Sequence, residues 1–174
     1  MLIRDLLLPE FDQEMASTRK MLERIPADKF TFQPHEKCWK TNQMAGHIVD
    51  MIGWTPHIMR TERLVLTAND FAPFLPGNPK ELLERFDANA AEARRELEKA
   101  SDEDMQKTWT MEWDGKQVMQ MPRYNVLRSV FFNHLIHHRA QLSMYLRMAG
   151  VAIPGMYGPS ADEPQMAGSE KSAA

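Results

Sequence analysis

Apolar side chains recur at steps of three and four residues through EFDQEMASTRKMLERI. There Phe11, Met15, Thr18, Met21, Leu22 and Ile25 share one side of a predicted helix from Pro9 to about Arg24, with Pro9 in its first turn. The next stretch, IPADKFTFQPHEKCWK, loses that period at Pro26 and Pro34 and reads as a connector. Thr41 then offers an N-cap for a second helix, NQMAGHIVDMIGW, which Pro56 should kink or end near Trp54 or Thr55; IMRTERLVL is apolar enough to resume helically beyond it.

After the turn-rich ANDFAPFLPGNP, Asn78 caps and Pro79 opens a third helix reaching about Ala100. Leu82, Leu83, Phe86, Ala90, Ala93 and Leu97 form its inward stripe, and Glu84, Arg85, Glu92, Arg94, Arg95 and Glu98 its solvated face. SDEDMQKT adds a short helical turn, and TWTMEWDGKQVMQMP places two alternating runs around Asp114-Gly115, the pattern of a tight hairpin. A fourth helix occupies Arg123 to Ala149, with Gly150 as its C-terminal cap. The pattern predicts an all-α four-helix bundle with a small β-hairpin insert before the last helix, as one domain over 1–163, followed by a small, polar, flexible tail over 164–174.

Length agrees with one domain, since 174 residues can bury a core without staples. The balance of 21 Lys+Arg against 24 Asp+Glu provides no basic field for a phosphate backbone, which argues against nucleic acid as a partner. The single Cys38 forms no internal disulfide and fits a reducing compartment, so a cytoplasmic location is expected. The apolar patch of MLIRDLLLPEFDQEM contains Arg4 and Asp5 and is too short for a signal segment or a bilayer span, so no membrane role is expected.

On the last helix Leu127, Phe131, His134, His138, Gln141, Leu142 and Tyr145 fall within one arc, which puts two histidines one turn apart on the expected buried face. An isolated i, i+4 histidine pair is more often a pair of hydrogen-bonded core residues than a ligand set. A third inward histidine, His47, shares its helical face with Met44, Met51 and Trp54, and bundle metal sites are assembled from facing helices in this way. His47, His134 and His138 are therefore the candidate metal ligands, with His137 as a competing one. His35 and His57, beside prolines, read as surface residues, and Cys38, if helical, would lie about 13.5 Å along the axis from His47.

Three neutral ligands leave a divalent ion with an open position, the arrangement of catalytic rather than structural sites. Such an ion acidifies bound water or a bound thiol, which suits Lewis-acid or thiolate chemistry; imidazole ligation is compatible with Zn, Ni, Cu or Fe. HLIHH lacks the glutamate of the zinc-protease motif, because Leu135 stands in its place. Asp50, one turn from His47, is a candidate to orient a ligand ring or accept a proton, and Gln141 and Tyr145 are candidates for the shell around the ligands or for substrate contacts. Arg139 points away from the site arc and reads as a structural or interface residue. The 14 methionines, scattered along the chain, fit core filling.

PHEKCWKTNQMAGHIVDMIGW together with NHLIHHRAQLSMYLRMAGVAIPGMYGPSADE resembles the DinB superfamily of DinB/YfiT-like metalloenzymes. The resemblance implies an up-down-down-up bundle, a homodimer, and a divalent ion, Zn or Ni, held by His47, His134 and His138 with water. Relatives of that kind include metal-dependent thiol S-transferases and mycothiol-dependent isomerases. The function expected is thus a divalent-metal-dependent enzyme, thiol S-transferase-like, acting on a small electrophilic molecule with a low-molecular-weight thiol as partner. The alternative is a non-enzymatic metal-binding stress-response or interaction protein. A hydrolase is less favoured.

Overall fold

The computed structural model describes residues 1–69 and 72–163; the tail expected at 164–174 lies outside the described residues. The elements run α1 (Ile3–Glu23), a 3-10 turn (Ala27–Lys29), α2 (Thr41–Arg60), β1 (Arg63–Leu66), α3 (Pro79–Lys99), α4 (Asp102–Gln106), β2 (Thr108–Trp113), β3 (Lys116–Pro122) and α5 (Arg123–Val126). A π-helical stretch (Leu127–Phe132) then runs directly into α6 (Asn133–Met148). The architecture is mostly helical with a small three-stranded sheet. Helix α3 packs on α1 and α2, and α6 on α1 and α2, around a core that includes Phe11, Leu22, Ile48, Ile52, Phe86, Phe131 and Leu142, each at most 2% exposed. No helix among the described residues is long and apolar enough to cross a membrane.

Both prolines expected to bound helices lie inside them. Helix α1 begins at Ile3, before Pro9, because its free N-terminal amides find acceptors: Leu2 N–H donates to Asp5 (3.0 Å) and Ile3 N–H to Asp102 (2.7 Å). Helix α2 passes Pro56 and continues for one further turn to Arg60, where Thr55, Pro56 and Ile58 are buried, so packing outweighs the lost amide bond. Its cap position is Lys40, not Thr41: Lys40 N–H donates to Gln43 Oε1 (2.8 Å), while the Thr41 hydroxyl donates to the Phe32 carbonyl (3.1 Å).

The helical continuation expected through IMRTERLVL stops at Arg60. Arg63–Leu66 is a strand that pairs parallel with β2, and α3 and α4 form the crossover between the two. The junction is tied by Thr61, whose hydroxyl donates to the His57 carbonyl (2.8 Å) and accepts from Trp109 Nε1 (3.2 Å), and whose carbonyl accepts from Arg123 (2.7 Å). Strand β2 pairs antiparallel with β3. Asp114 (φ 47°) and Gly115 (φ 73°) turn between them, the left-handed pair that a two-residue hairpin of primed type requires.

Helix α3 follows its sequence pattern closely. Asn78 Oδ1 accepts from Glu81 N–H (2.9 Å), Pro79 occupies the first turn, and Leu82, Phe86, Ala93 and Leu97 are buried. Ser101 and Asp104 cap α4 reciprocally. The last helix ends in a Schellman motif, with Gly150 (φ 77°) donating to Arg147 O (3.0 Å) and Val151 to Leu146 O (2.9 Å). Its middle departs from expectation, because the π stretch Leu127–Phe132 absorbs an extra residue and resets the angular register of α6.

Candidate metal centre

After that reset, the buried ridge of α6 is Leu135, Arg139, Leu142 and Leu146. His134, His138, Gln141 and Tyr145 stand on its flank, half-buried rather than in the core as expected. A flank position suits ligands better, since an ion enclosed by the core would have no path for exchange. Arg139, read as a structural or interface residue off the site arc, is structural: it takes a core position at 2% exposure and pairs with Glu14 of α1 (2.7 Å). That contact to Oε2 is off-axis for a hydrogen bond and is held by charge. Arg139 also donates to Glu14 O (3.1 Å), Thr18 Oγ1 (3.0 Å) and the Tyr157 hydroxyl (2.8 Å), and Tyr157 donates in turn to Glu14 Oε1 (2.8 Å).

Helix α2 brings His47 opposite the α6 pair. The ring centroids lie 5.2 Å (His47–His134), 4.7 Å (His47–His138) and 4.5 Å (His134–His138) apart, and one nitrogen from each ring lies within 4.8 Å of the others. His138 Nδ1 meets Gln141 Oε1 at 2.8 Å, which calls for a proton on Nδ1 and leaves the lone pair on Nε2. The Val130 backbone favours the protonated form of the His134 ring, whose Nε2 faces His138 Nε2 at 2.7 Å. A proton on His134 Nε2 would bridge the two as a hydrogen bond, whereas two unprotonated nitrogens this close call for a cation between them. Nitrogens bound to one tetrahedral ion at about 2.0–2.1 Å sit roughly 3.3 Å apart, so the pair needs to open by about 0.6 Å to fit one. The donor set therefore fits a divalent ion of the imidazole-preferring kind.

All three imidazoles are kept neutral. Burial, then the neighbouring His138 and His134, lower His47 to about 4. Burial also lowers His134 and His138, partly offset by their bonds to Val130 and Gln141. The unfolded chain binds protons at these positions below about pH 6.5, where the folded chain resists them, so unfolding becomes favoured as the pH falls. Chelator-treated protein is expected to hold full stability above about pH 6.5 and to melt progressively lower from there toward pH 4, with His47→Asn flattening the decline. A melting temperature independent of pH across that window would mean that the rings do not cluster in solution.

The other candidates divide clearly. His137 and His35 are exposed and outside the cluster. His57, expected at the surface, is half-buried, edge-on to Trp109 (6.3 Å), with Nε2 enclosed and without a partner. Cys38 lies in the connector, not on a helix, and is absent from the ligand cluster. It sits beside the Tyr145 phenol, whose pKa is raised by burial and by that thiol against a Trp39 N–H that lowers it. Asp50 accepts Phe74 N–H (2.7 Å); burial raises its carboxyl, against the lowering effects of that bond and of Arg85. Gly46 lets this strap lie across α2, because a Cβ there would stand 2.1 Å from Phe74 O.

Trp39 is the residue that the sequence reading missed. It is 44% exposed, lies nearly parallel to His138 (5.8 Å, 24°) and meets His47 edge-on (5.1 Å, 71°). Its only sequence signal is an aromatic residue next to the helix that contributes a ligand. Two cavities open beside His47, of about 340 Å³ between Trp39 and Phe74 and about 300 Å³ between Trp54 and Trp109.

Residues 2–172 match the DinB family. The chain is 23% identical over 163 residues to the uncharacterized protein YrdA of Bacillus subtilis, covering 91% of this chain and 90% of that one. Its fold is similar to that of a DinB-like protein of Bacillus cereus (TM-score 0.66, 23% identity, 86% of this chain and 95% of the other). It is also similar to the DinB-like protein YjoA of Bacillus subtilis (TM-score 0.67, 16% identity, 87% and 96%). At such identities these structures speak for the fold alone.

Proposed function

The chain belongs to the DinB family, and from that membership and the imidazole cluster we propose a divalent-metal-dependent enzyme of thiol S-transferase-like activity toward a small electrophile. The observation that carries this reading is the convergence of three neutral imidazoles, with His138 Nδ1 engaged by Gln141 and the Nε2 atoms of both α6 rings facing each other. His47, His134 and His138 would hold the ion, Zn or Ni. When bound with an open position, such an ion supplies Lewis acidity toward a thiol or a water.

The chain's own residues do the rest. Gln141 fixes the tautomer of His138. Trp39 screens one side of the cluster with an indole face, and the strap held by Asp50 covers α2 at Gly46. The wider reading is an up-down-down-up bundle acting as a cytoplasmic homodimer.

The test uses metal-loaded and chelator-treated protein with cysteine or glutathione and an epoxide or chlorinated electrophile. About one ion per chain and thiol consumption that disappears with the metal are expected. Metal binding without consumption of any thiol would favour a non-enzymatic metal-binding protein, and failure to retain Zn or Ni would end the reading.

A further inference from the structure

The cavity between Trp54 and Trp109 is walled by α2, the helix that also carries His47, and by β1, β2 and the segment through Ala72 and Pro73, which hold none of the candidate ligands. Alternation along β1 turns Leu64 and Leu66 toward it, while Arg63 and Val65 are exposed. Trp109 is 1% exposed and its Nε1 is already spent on Thr61, so it gives the cavity an apolar ring and no donor. With Trp54 and Ile58 the walls are aromatic and branched-aliphatic. Three polar side chains line it: His47, the carboxylate of Asp50 one turn along α2, and His57, whose Nε2 is enclosed without a partner. Asp50 accepts one N–H from Phe74. Arg85, over the Phe74 ring at 5.2 Å, reaches Asp50 through its field but does not line the cavity.

We infer that this cavity binds the body of the second reactant: a small molecule of one aromatic ring or a branched alkyl group that ends in a hydrogen-bond donor directed at Asp50. The volume of about 300 Å³ lies at the small end of ligand pockets, which suits a single ring and not a peptide or nucleotide. Indole faces and aliphatic side chains reward burial of an apolar body. A carboxylate within such walls accepts from a hydroxyl or amine and repels another carboxylate, so anionic ligands are disfavoured. The arrangement places the donor-bearing end beside His47 and the ring away from it. The reactive role of the pocket rests on the metal-dependent reading above; its occupancy does not.

The experiment uses the chain labelled with 5-fluorotryptophan, whose four tryptophans give fluorine resonances assignable by single Trp→Phe substitution. Benzylamine and phenylacetate are titrated into chelator-treated protein, so that neither can act as a metal ligand. Benzylamine is expected to shift Trp54 and Trp109, to leave Trp113 unmoved, and to bind at least tenfold more tightly than phenylacetate. Asp50→Asn retains an acceptor for Phe74 N–H and is expected to abolish that preference. Shifts confined to Trp39, equal or better binding of phenylacetate, or binding of benzylamine only after metal is restored would each overturn the pocket. Loss of metal retention with these shifts intact would instead count against the metal-dependent reading alone.

Discussion

Replacing His47 by alanine is expected to lower the affinity for Zn or Ni by two or more orders of magnitude, read by titration calorimetry. A protein site binds such an ion with roughly 10–16 kcal/mol shared among its ligands, so one imidazole accounts for about 3 kcal/mol or more. His134→Ala and His138→Ala should do the same, because the three nitrogens form one cluster. Gln141→Ala is expected to cost less, about 10–100-fold, since it removes only the acceptor that holds the His138 tautomer. His137→Ala and His35→Ala should change nothing, both rings being exposed and outside the cluster. Undiminished affinity in His47→Ala, or an equal loss in His137→Ala, would show that another set of ligands is used.

The second large effect concerns stability. Arg139→Ala should destabilise the fold by about 3–5 kcal/mol in urea unfolding, because it strands the Glu14 carboxylate at 3% exposure without its counter-charge. Replacing both partners, Arg139→Met with Glu14→Leu, should recover most of that loss, since a well-packed apolar pair avoids two desolvation costs. Tyr157→Phe, which keeps the ring against the guanidinium and removes the hydroxyl, is expected to cost about 1 kcal/mol. If the double replacement is no more stable than Arg139→Ala, the network acts through its hydrogen bonds rather than through charge neutralisation.

Much of the molecule is legible from neighbouring residues. Asn78-Pro79 and a stripe at three- and four-residue steps define α3, and Asp114-Gly115 defines the hairpin turn, because in both cases the determining chemistry lies within a few positions. The histidine cluster is legible for a different reason: the i, i+4 spacing is local, and only the partner on α2 has to be guessed. The features that are not legible depend on distant groups. An arginine takes a core position only where a carboxylate 125 positions earlier in the chain awaits it, so the helical wheel turns Arg139 off the histidine arc without showing that it is buried. Arg63–Leu66 becomes a strand only because β2 lies alongside, and Trp39 acquires its role only through rings on two helices. Pro9 and Pro56 are tolerated for the same kind of reason, since their neighbours are docked or buried.

The π stretch Leu127–Phe132 divides the last helix into two gears on one shaft. Val126, Leu127, Phe131 and Phe132 set the heading of the first, and Leu135, Arg139, Leu142 and Leu146 that of the second. Losing a single residue there would swing His134 and His138 together by about 100° about the axis without altering the gap between them. The α6 pair is thus a preset two-toothed unit, and whether it meshes with His47 is decided one and a half turns upstream.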